Sequence, residues 1–406
     1  MKLHSGLPYW IIKNRLYDYY NPLKDDVTAD VAVIGSGITG ALAAHELCKA
    51  GFDCCVLDKR SIATGSSAAS TALLQYEIDL PLHKLAGKIG EDKAVTAYRS
   101  CLDSITELGK ILEEASVQAD FVRRPSIFYA SDSKGEEIIA KEYEIRTRHG
   151  LPAELVSREV LLEKYGLHTF SGALCNCESA EVDAYKAATG LLDYDMRHNG
   201  LRVYTHTEIS DCSQDECGCI LTDMDGHTVK CGYVVVAAGF EAGQFLPEKV
   251  MKLTSTYALV SHPVDERLLW PGRALIWETA EPYVYMRTTK ENRIIMGGED
   301  DGFYDPKRRD RRLARKVRTL EKKFRDMFPD IPFTAEMAWC GTFSSTDDGL
   351  PFIGPWKEGG RVFYDLGYGG NGITFSVIGA QMISRTLSGH QDSRYGIFGF
   401  GRLWDD

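Results

Sequence analysis

The sequence predicts an α/β fold: a βαβ unit at the head of the chain, a buried strand that joins its sheet, and a second sheet of alternating strands. Three stretches carry this prediction. From Ala29, "ADVAVIG", "SGITGALAAHELCKAG" and "FDCCVLD" read as strand, tight glycine turn, helix and strand. "YVVVAAG", ending at Gly239, is apolar on both faces, as a strand covered on both sides must be. Between Leu253 and Gly298, "TYALVSH", "RALIWE" and "PYVYMRT" alternate with turn residues and form the second sheet.

Taken in order, each element has its own justification. In the first helix Leu42, Leu47, Ala43, Ala44 and Ala50 give faces that pack closely on a sheet, and Gly51 stops it. A loop of small polar residues, "KRSIATGSSAAS", follows, and then "TALLQYEIDLPL". From Glu91 to Gly150 the period is helical, with Leu102, Ile105, Leu108, Ile111 and Leu112 as one apolar core stripe. "LRVYTHTEIS" and "HTVKCGYVVVAAG" are strands joined through an edge hairpin, and "NRIIMGGED" is another strand. "DPKRRDRRLARKVRTLEKKFRDMFP" puts eleven basic residues on a helix, 307–325, whose Leu313, Val317, Leu320 and Phe324 share one face. Its basic side is a solvated surface or a contact for anionic lipid or an acidic partner.

Composition narrows the function classes. At 406 residues the chain has room for two or three domains, and with no repeat or low-complexity linker these are expected to interleave. A net charge of -11 argues against general affinity for nucleic acid, which needs concentrated Lys and Arg. The N-terminal "MKLHSGLPYWIIKN" has no secretion-signal core, and no later run reaches the roughly 18 apolar residues of a membrane span, so a cytoplasmic location is expected. The eleven cysteines are an odd count and read as reduced thiols. "CNC" at Cys175–Cys177 and "CSQDECGC" at Cys212–Cys219 lack zinc spacing, so no metal site is expected.

Two stretches contain the spacing G-x-G-x-x-G: "VIGSGITG" at 33–40 and "DLGYGGNG" at 365–372. The first has the full context of a dinucleotide site. Gly35 permits the turn, Gly37 lets backbone N–H groups near a pyrophosphate at the helix N-terminus, and Gly40 allows close helix–strand packing. Ser36, Ile38 and Thr39 complete this loop, and Asp58, eighteen residues beyond Gly40, is placed to accept from a ribose diol, with Lys59 and Arg60 beside it. After Gly372 there is one helix, "ITFSVIGAQMISRTL", and no second strand or acidic residue. The second motif therefore closes no nucleotide fold of its own, but as a glycine loop feeding a helix it stabilises an anion or a reduced ring. The two motifs together suit one bipartite molecule such as FAD, adenosine and pyrophosphate at the first loop, isoalloxazine at the second.

The ordered set "DVAVIGSGITG", Asp58, "TGSSAAS", "VVVAAG", "DGLPFIG" and "GYGGNGITFS" resembles the D-amino-acid oxidase/glycine oxidase superfamily of FAD-dependent oxidoreductases, from about Ala29 to Leu387. The resemblance implies a glutathione-reductase-type, Rossmann-like FAD domain drawn from 27–90, 151–250 and 340–406, and a substrate domain with an antiparallel sheet from 91–150 and 251–339 that roofs the flavin. It implies that Gly65, Ser66 and Ser67 approach the pyrophosphate and ribityl chain, and that Ile209 offers its backbone to adenine. Ala238 and Gly239 turn the chain away from the phosphates. Gly370, Asn371, Gly372, Ile373 and Thr374 surround the pyrimidine edge, where reduction builds negative charge, with Leu350 and Pro351 near the ring.

Two departures bear on substrate and cofactor. Many amino-acid oxidases of this group place an arginine just before "DG.P.IG" to clamp a carboxylate; here the comparable residue is Phe343. Arg287 is the alternative, and alternation in "YVYMR" puts it on one face with Tyr283 and Tyr285, an aromatic wall suited to an amine. No histidine occurs in "TGSSAAST", where Ala69 stands at the covalent-attachment position of some relatives, and Cys340 is offset from the other, so noncovalent FAD is expected. The resemblance thus implies oxidation of an amine or amino acid to an imine that hydrolyses. The acceptor is oxygen or an electron carrier, since no second nucleotide fold serves NAD(P)H. A 2-hydroxy-acid dehydrogenase docking to a membrane acceptor through the basic helix, and a flavin-binding subunit or sensor with little turnover, stay open.

Overall fold

The computed structural model describes residues 1–17 and 19–404. Its eight-stranded sheet runs in the order Phe352–Pro355, Val362–Leu366, Thr228–Val236, Val27–Ile34, Cys54–Leu57, Arg202–Tyr204, with Cys219–Asp223 paired to Thr228–Val236 and Ile209–Gln214 paired in turn to Cys219–Asp223. Val27–Ile34 and Thr228–Val236 lie parallel at its centre, and Val31, Val33, Val234 and Val235 are fully buried, as both-face apolar strands require. These strands come from three separated parts of the chain. The helix Ile38–Lys49, here the head helix, packs on the helix Gly372–Leu387, the tail helix, and both share one core with Glu91–Glu114 and Ala184–His198.

The ten-stranded sheet orders His4–Gly6, Ala335–Ser345, Lys252–Ser261, Ile294–Asp301, Val284–Thr288, Leu275–Glu278, Val122–Tyr129, Ala173–Glu181 and Leu73–Leu74, with Glu154–Val156 on Ala173–Glu181. It departs from the expected antiparallel roof at one seam: Leu275–Glu278 runs parallel to Val122–Tyr129. The chain between these strands passes through the other sheet, and so long a crossover frees them from hairpin geometry. Strand pairing also cuts across the expected segment boundaries. Glu154–Val156 and Ala173–Glu181 belong to the roof, whereas Glu91–Glu114 packs on the tail helix.

The basic helix, Pro306–Met327, lies on the roof sheet with Leu320 and Phe324 fully buried and Val317 packed against the same core. Its Arg309 is buried as well, donating to the Leu3 carbonyl at 3.0 Å and the Thr342 hydroxyl at 3.1 Å. No helix among the described residues is long and apolar enough to cross a membrane.

Candidate active site

The head loop is shaped by contacts that only glycine allows. Gly35 has φ +107°, and a Cβ there would stand 2.5 Å from the Ala237 carbonyl oxygen on the neighbouring strand. A Cβ at Gly40 would overlap the Gly35 carbonyl, so the head helix sits directly on its strand. At the helix mouth, the Ile38 N–H donates to Ser67 Oγ at 2.9 Å, which joins the Gly65–Ser67 loop to this turn. Asp58 braces the same turn: its Oδ2 accepts from Ser36 N–H at 2.8 Å and Ser36 Oγ at 2.6 Å, and its Oδ1 accepts from Arg60 N–H at 2.8 Å. Oδ1 keeps a free lone pair for a ribose hydroxyl. Lys59 and Arg60 both pair with Glu241, at 3.0 and 2.7 Å. Burial pushes the Glu241 carboxyl up, but hydrogen bonds from Arg60, the N-terminal ammonium and Lys59 override it and hold the group at about 2.

The tail loop docks on a segment just beyond the head unit. Asn371 Nδ2 donates to the carbonyls of Gln75 and Glu77 at 3.1 and 2.7 Å, so its amide positions the loop. Gly370 N–H donates to Asp79 Oδ2 at 2.6 Å, and a Cβ on Gly370 would stand 2.5 Å from Asp79 Oδ1. Head and tail meet directly. Ser376 Oγ donates to the Gly372 carbonyl at 2.6 Å, which leaves Thr39 Oγ1 to donate to Ser376 at 2.8 Å. One cavity opens on both loops, lined by Gly35, Gly37, Ile38 and Thr39 from the head and Gly369 to Ile373 from the tail. Asp58, Lys59, Arg60, Gly65, Ser66, Ser67, Ile209, Ala238 and Gly239 line it too.

Its roof is aromatic. Trp277, Tyr283, Tyr285, Trp339 and Phe343 line the cavity together with Thr256. Tyr283 lies 6.3 Å from Trp277 and 5.6 Å from Tyr285 between ring centroids. Gly297 makes room for the Tyr285 ring, since a Cβ there would come within 2.5 Å of its hydroxyl. Burial pushes both tyrosines upward, Tyr283 further raised by the Asp79 charge, so each keeps its proton. Tyr283 O–H donates to Asp79 Oδ1 at 3.0 Å. Burial also pushes Asp79 above the usual carboxylate range, against the Gly370 and Tyr283 donors that lower it.

Arg287 requires a correction. It shares the face of Tyr285 but is not among the cavity-lining residues; it is buried, and Nη1 donates to the carbonyls of Ala72 at 2.8 Å and Val182 at 2.9 Å. The guanidinium also stacks on Trp10 at 5.5 Å and faces Glu181 at 3.4 Å. The strand carries it past the cavity's edge, where it pins the loop beneath. Ser36, Gly40, Leu350, Pro351 and Thr374 also do not line the cavity. Ser36 and Gly40 shape the head turn, Thr374 Oγ1 donates to the Asn371 carbonyl at 2.9 Å, and Leu350 is tied to Asp348 at 3.0 Å. Cys340 turns its Sγ toward the Ser5 carbonyl and Asp310, at 3.8 and 3.4 Å. Trp277, Trp339, Thr256 and Asp79 line the cavity without having been singled out in the sequence. The glycine pair Gly297–Gly298 was the available signal for a large ring crossing that strand.

The residues present fit FAD. Two helix N-termini open on one cavity, and the head and tail loops approach where a Cβ would fill the cradle, Gly37 facing Ser67 Oγ at 3.0 Å and Gly370 facing Asp79. Fold and site together define a flavin-dependent oxidoreductase with a roofed substrate chamber. The chain belongs to the FAD dependent oxidoreductase (DAO) family, whose model matches residues 30–386. It is 26% identical to the gamma-glutamylputrescine oxidoreductase of Escherichia coli (strain K12), across 96% of this chain and 90% of that protein. It is 25% identical to the glycine oxidase of Geobacillus kaustophilus (strain HTA426), across 87% of this chain and 92% of that protein. The fold superposes on the crystal structure of L-proline dehydrogenase from P. horikoshii with TM-score 0.77 at 20% identity, covering 94% of this chain and 99% of that one.

Proposed function

We propose that this FAD-dependent oxidoreductase oxidises the C–H bond beside the nitrogen of an amine to an imine, which water then hydrolyses. One observation carries the reading. Among the described residues lining the cavity the cations are Lys59 and Arg60, both engaged by Glu241 on the Asp58 side, while the roof presents aromatic rings and the tail-loop end presents Asp79. A substrate carboxylate has no guanidinium to meet: Phe343 stands at the clamp position and Arg287 is spent on backbone carbonyls. FAD, when bound, supplies the two-electron acceptor. The chain's residues bind and orient: the roof rings exclude water and hold the amine, and the N-terminus of the tail helix would favour the negative charge that a flavin gains on reduction. The binding is noncovalent, the acceptor is oxygen or an electron carrier, and the protein works in the cytoplasm without nucleic acid. The names of the relatives, an amine oxidoreductase and a glycine oxidase, are consistent with this chemistry.

The hydroxy-acid reading is the weaker one, because an acid substrate also needs a cation at the roof end. Anaerobic mixing of the holoenzyme with a panel of amines, α-amino acids and 2-hydroxy acids tests the proposal. Bleaching of the flavin absorbance is expected with amines, and bleaching only with hydroxy acids, or with nothing, would sink it. Acid precipitation checks the attachment: a yellow supernatant is expected, a yellow pellet contradicts it.

A further inference from the structure

We propose that Asp79 is the cation anchor of the substrate chamber, so that the enzyme selects a positively charged amine with no carboxylate on the carbon next to its nitrogen. The inference rests on the amine-oxidation reading above and deepens it.

Asp79 is held, yet not neutralised. Gly370 N–H and Tyr283 O–H each take one lone pair of a different carboxylate oxygen, at 2.6 and 3.0 Å, which fixes the plane of the group beside the tail loop. Each oxygen retains acceptor capacity toward the cavity. Among the described residues no Lys, Arg or His pairs with Asp79, although the same fold supplies paired cations to Glu77, Glu142 and Glu241. Asp79 is half-buried at the cavity wall, where a carboxylate without a counter-ion is less well solvated than in water, and a cationic ligand is the group that offsets this.

Two independent features point the same way. Trp277, Tyr283 and Tyr285 form adjoining ring faces next to this carboxylate, the arrangement that attracts an ammonium through the ring quadrupole. Behind them stands Asp300, whose buried Oδ1 has no hydrogen-bond partner. It does not line the cavity, but it is close enough for the Asp79 charge to act on it, with Lys316 opposing, so a second carboxylate stands behind the lined wall. An α-amino acid would bring its carboxylate into this field and be repelled; the corresponding amine would not.

The test measures binding rather than turnover. A quaternary ammonium such as 3,3-dimethylbutyl-trimethylammonium has no nitrogen lone pair and cannot be oxidised by hydride loss, so its affinity for oxidised holoenzyme is read from the flavin spectrum or by calorimetry. Asp79→Asn, which keeps the shape of the side chain, is expected to weaken binding by about 10- to 100-fold, and unchanged affinity would overturn the proposal. If that variant fails to retain flavin, the wild type decides alone. It should bind the cation about 10-fold or more tighter than an uncharged isosteric hydrocarbon alcohol, and equal affinities refute the anchor. The two readings fail separately. Amines that bleach the flavin while cations show no preference remove the anchor alone, whereas cation selectivity without bleaching by any amine removes the oxidation reading.

Discussion

Among single residues, local glycine contacts and a long-range carboxylate contact shape the site in different ways. The head glycines are local: the strand, turn and helix that demand them lie within one short stretch, so Gly35 and Gly40 could be assigned their roles from spacing. Gly40→Ala would drive a methyl group into the Gly35 carbonyl. We expect a loss of about 3 kcal/mol or more, seen as a lower thermal midpoint together with loss of bound flavin. Asp79 was not legible, because its partner Gly370 lies 291 residues away and nothing local marks the pair. Asp300 is a similar case with a pH signature. Burial lifts its pKa from 3.8 to about 6, with the Asp79 charge adding to the rise and the Thr256 hydroxyl and Lys316 opposing it. Well below pH 4, at about pH 3, the group is mostly neutral in both folded and unfolded chains and costs little. The penalty on the folded chain grows as pH rises from about 4 to 6 and is complete above about pH 7, where both are ionised. Asp300→Asn should therefore stabilise the protein by roughly 1–3 kcal/mol at pH 8 and hardly at all at pH 3. Denaturant midpoints of both proteins at the two pH values check this, and an equal gain at both would contradict it.

At the scale of elements, alternation found the roof strands but not how far along a strand the cavity extends. "YVYMR" correctly puts Tyr285 and Arg287 on one side, yet a two-residue step moves the side chain some 6–7 Å, enough to pass from chamber to packed interior. There the guanidinium holds the carbonyls of Ala72 and Val182, and the indoles of Trp10 and Trp339 hold those of Ser70 and Ala69, at 2.6 and 2.8 Å. These donors come from different elements and clamp the same loop. Arg287→Met would leave buried carbonyls unpaired and Glu181 with Arg124 as its remaining cation, at a cost of about 2–5 kcal/mol, mainly from the orphaned carbonyls. Because the residue touches no substrate, kcat/KM per flavin-loaded molecule should change less than about threefold. A large rise in KM without loss of stability would restore Arg287 to the site. The parallel seam of the roof escaped prediction for a related reason. Strand patterns report faces, and the direction of a neighbour depends on a crossover spanning residues 130–274 that no strand motif describes.

At the scale of the whole molecule, the head and tail of the chain meet through Thr39 and Ser376 and open on a single cavity, so one ligand spanning both loops links parts of the sequence that are far apart. This has a thermodynamic consequence that separates one bipartite cofactor from two independent sites. ADP can satisfy the head loop, with Asp58 and the head-helix N-terminus, and FMN can reach the tail loop, but each fragment pays its own cost of association. In FAD the second half binds intramolecularly, at an effective concentration in about the millimolar range or higher. Ligand binding to the folded state raises stability with the logarithm of concentration over Kd. Apoprotein prepared by acid and salt should therefore gain several degrees in thermal midpoint with micromolar FAD. The same concentrations of ADP and FMN together should give much less, and FMN alone almost none. If the fragments in mixture matched FAD, the two glycine loops would be acting as separate sites. The chain would then hold its cofactor from one end only.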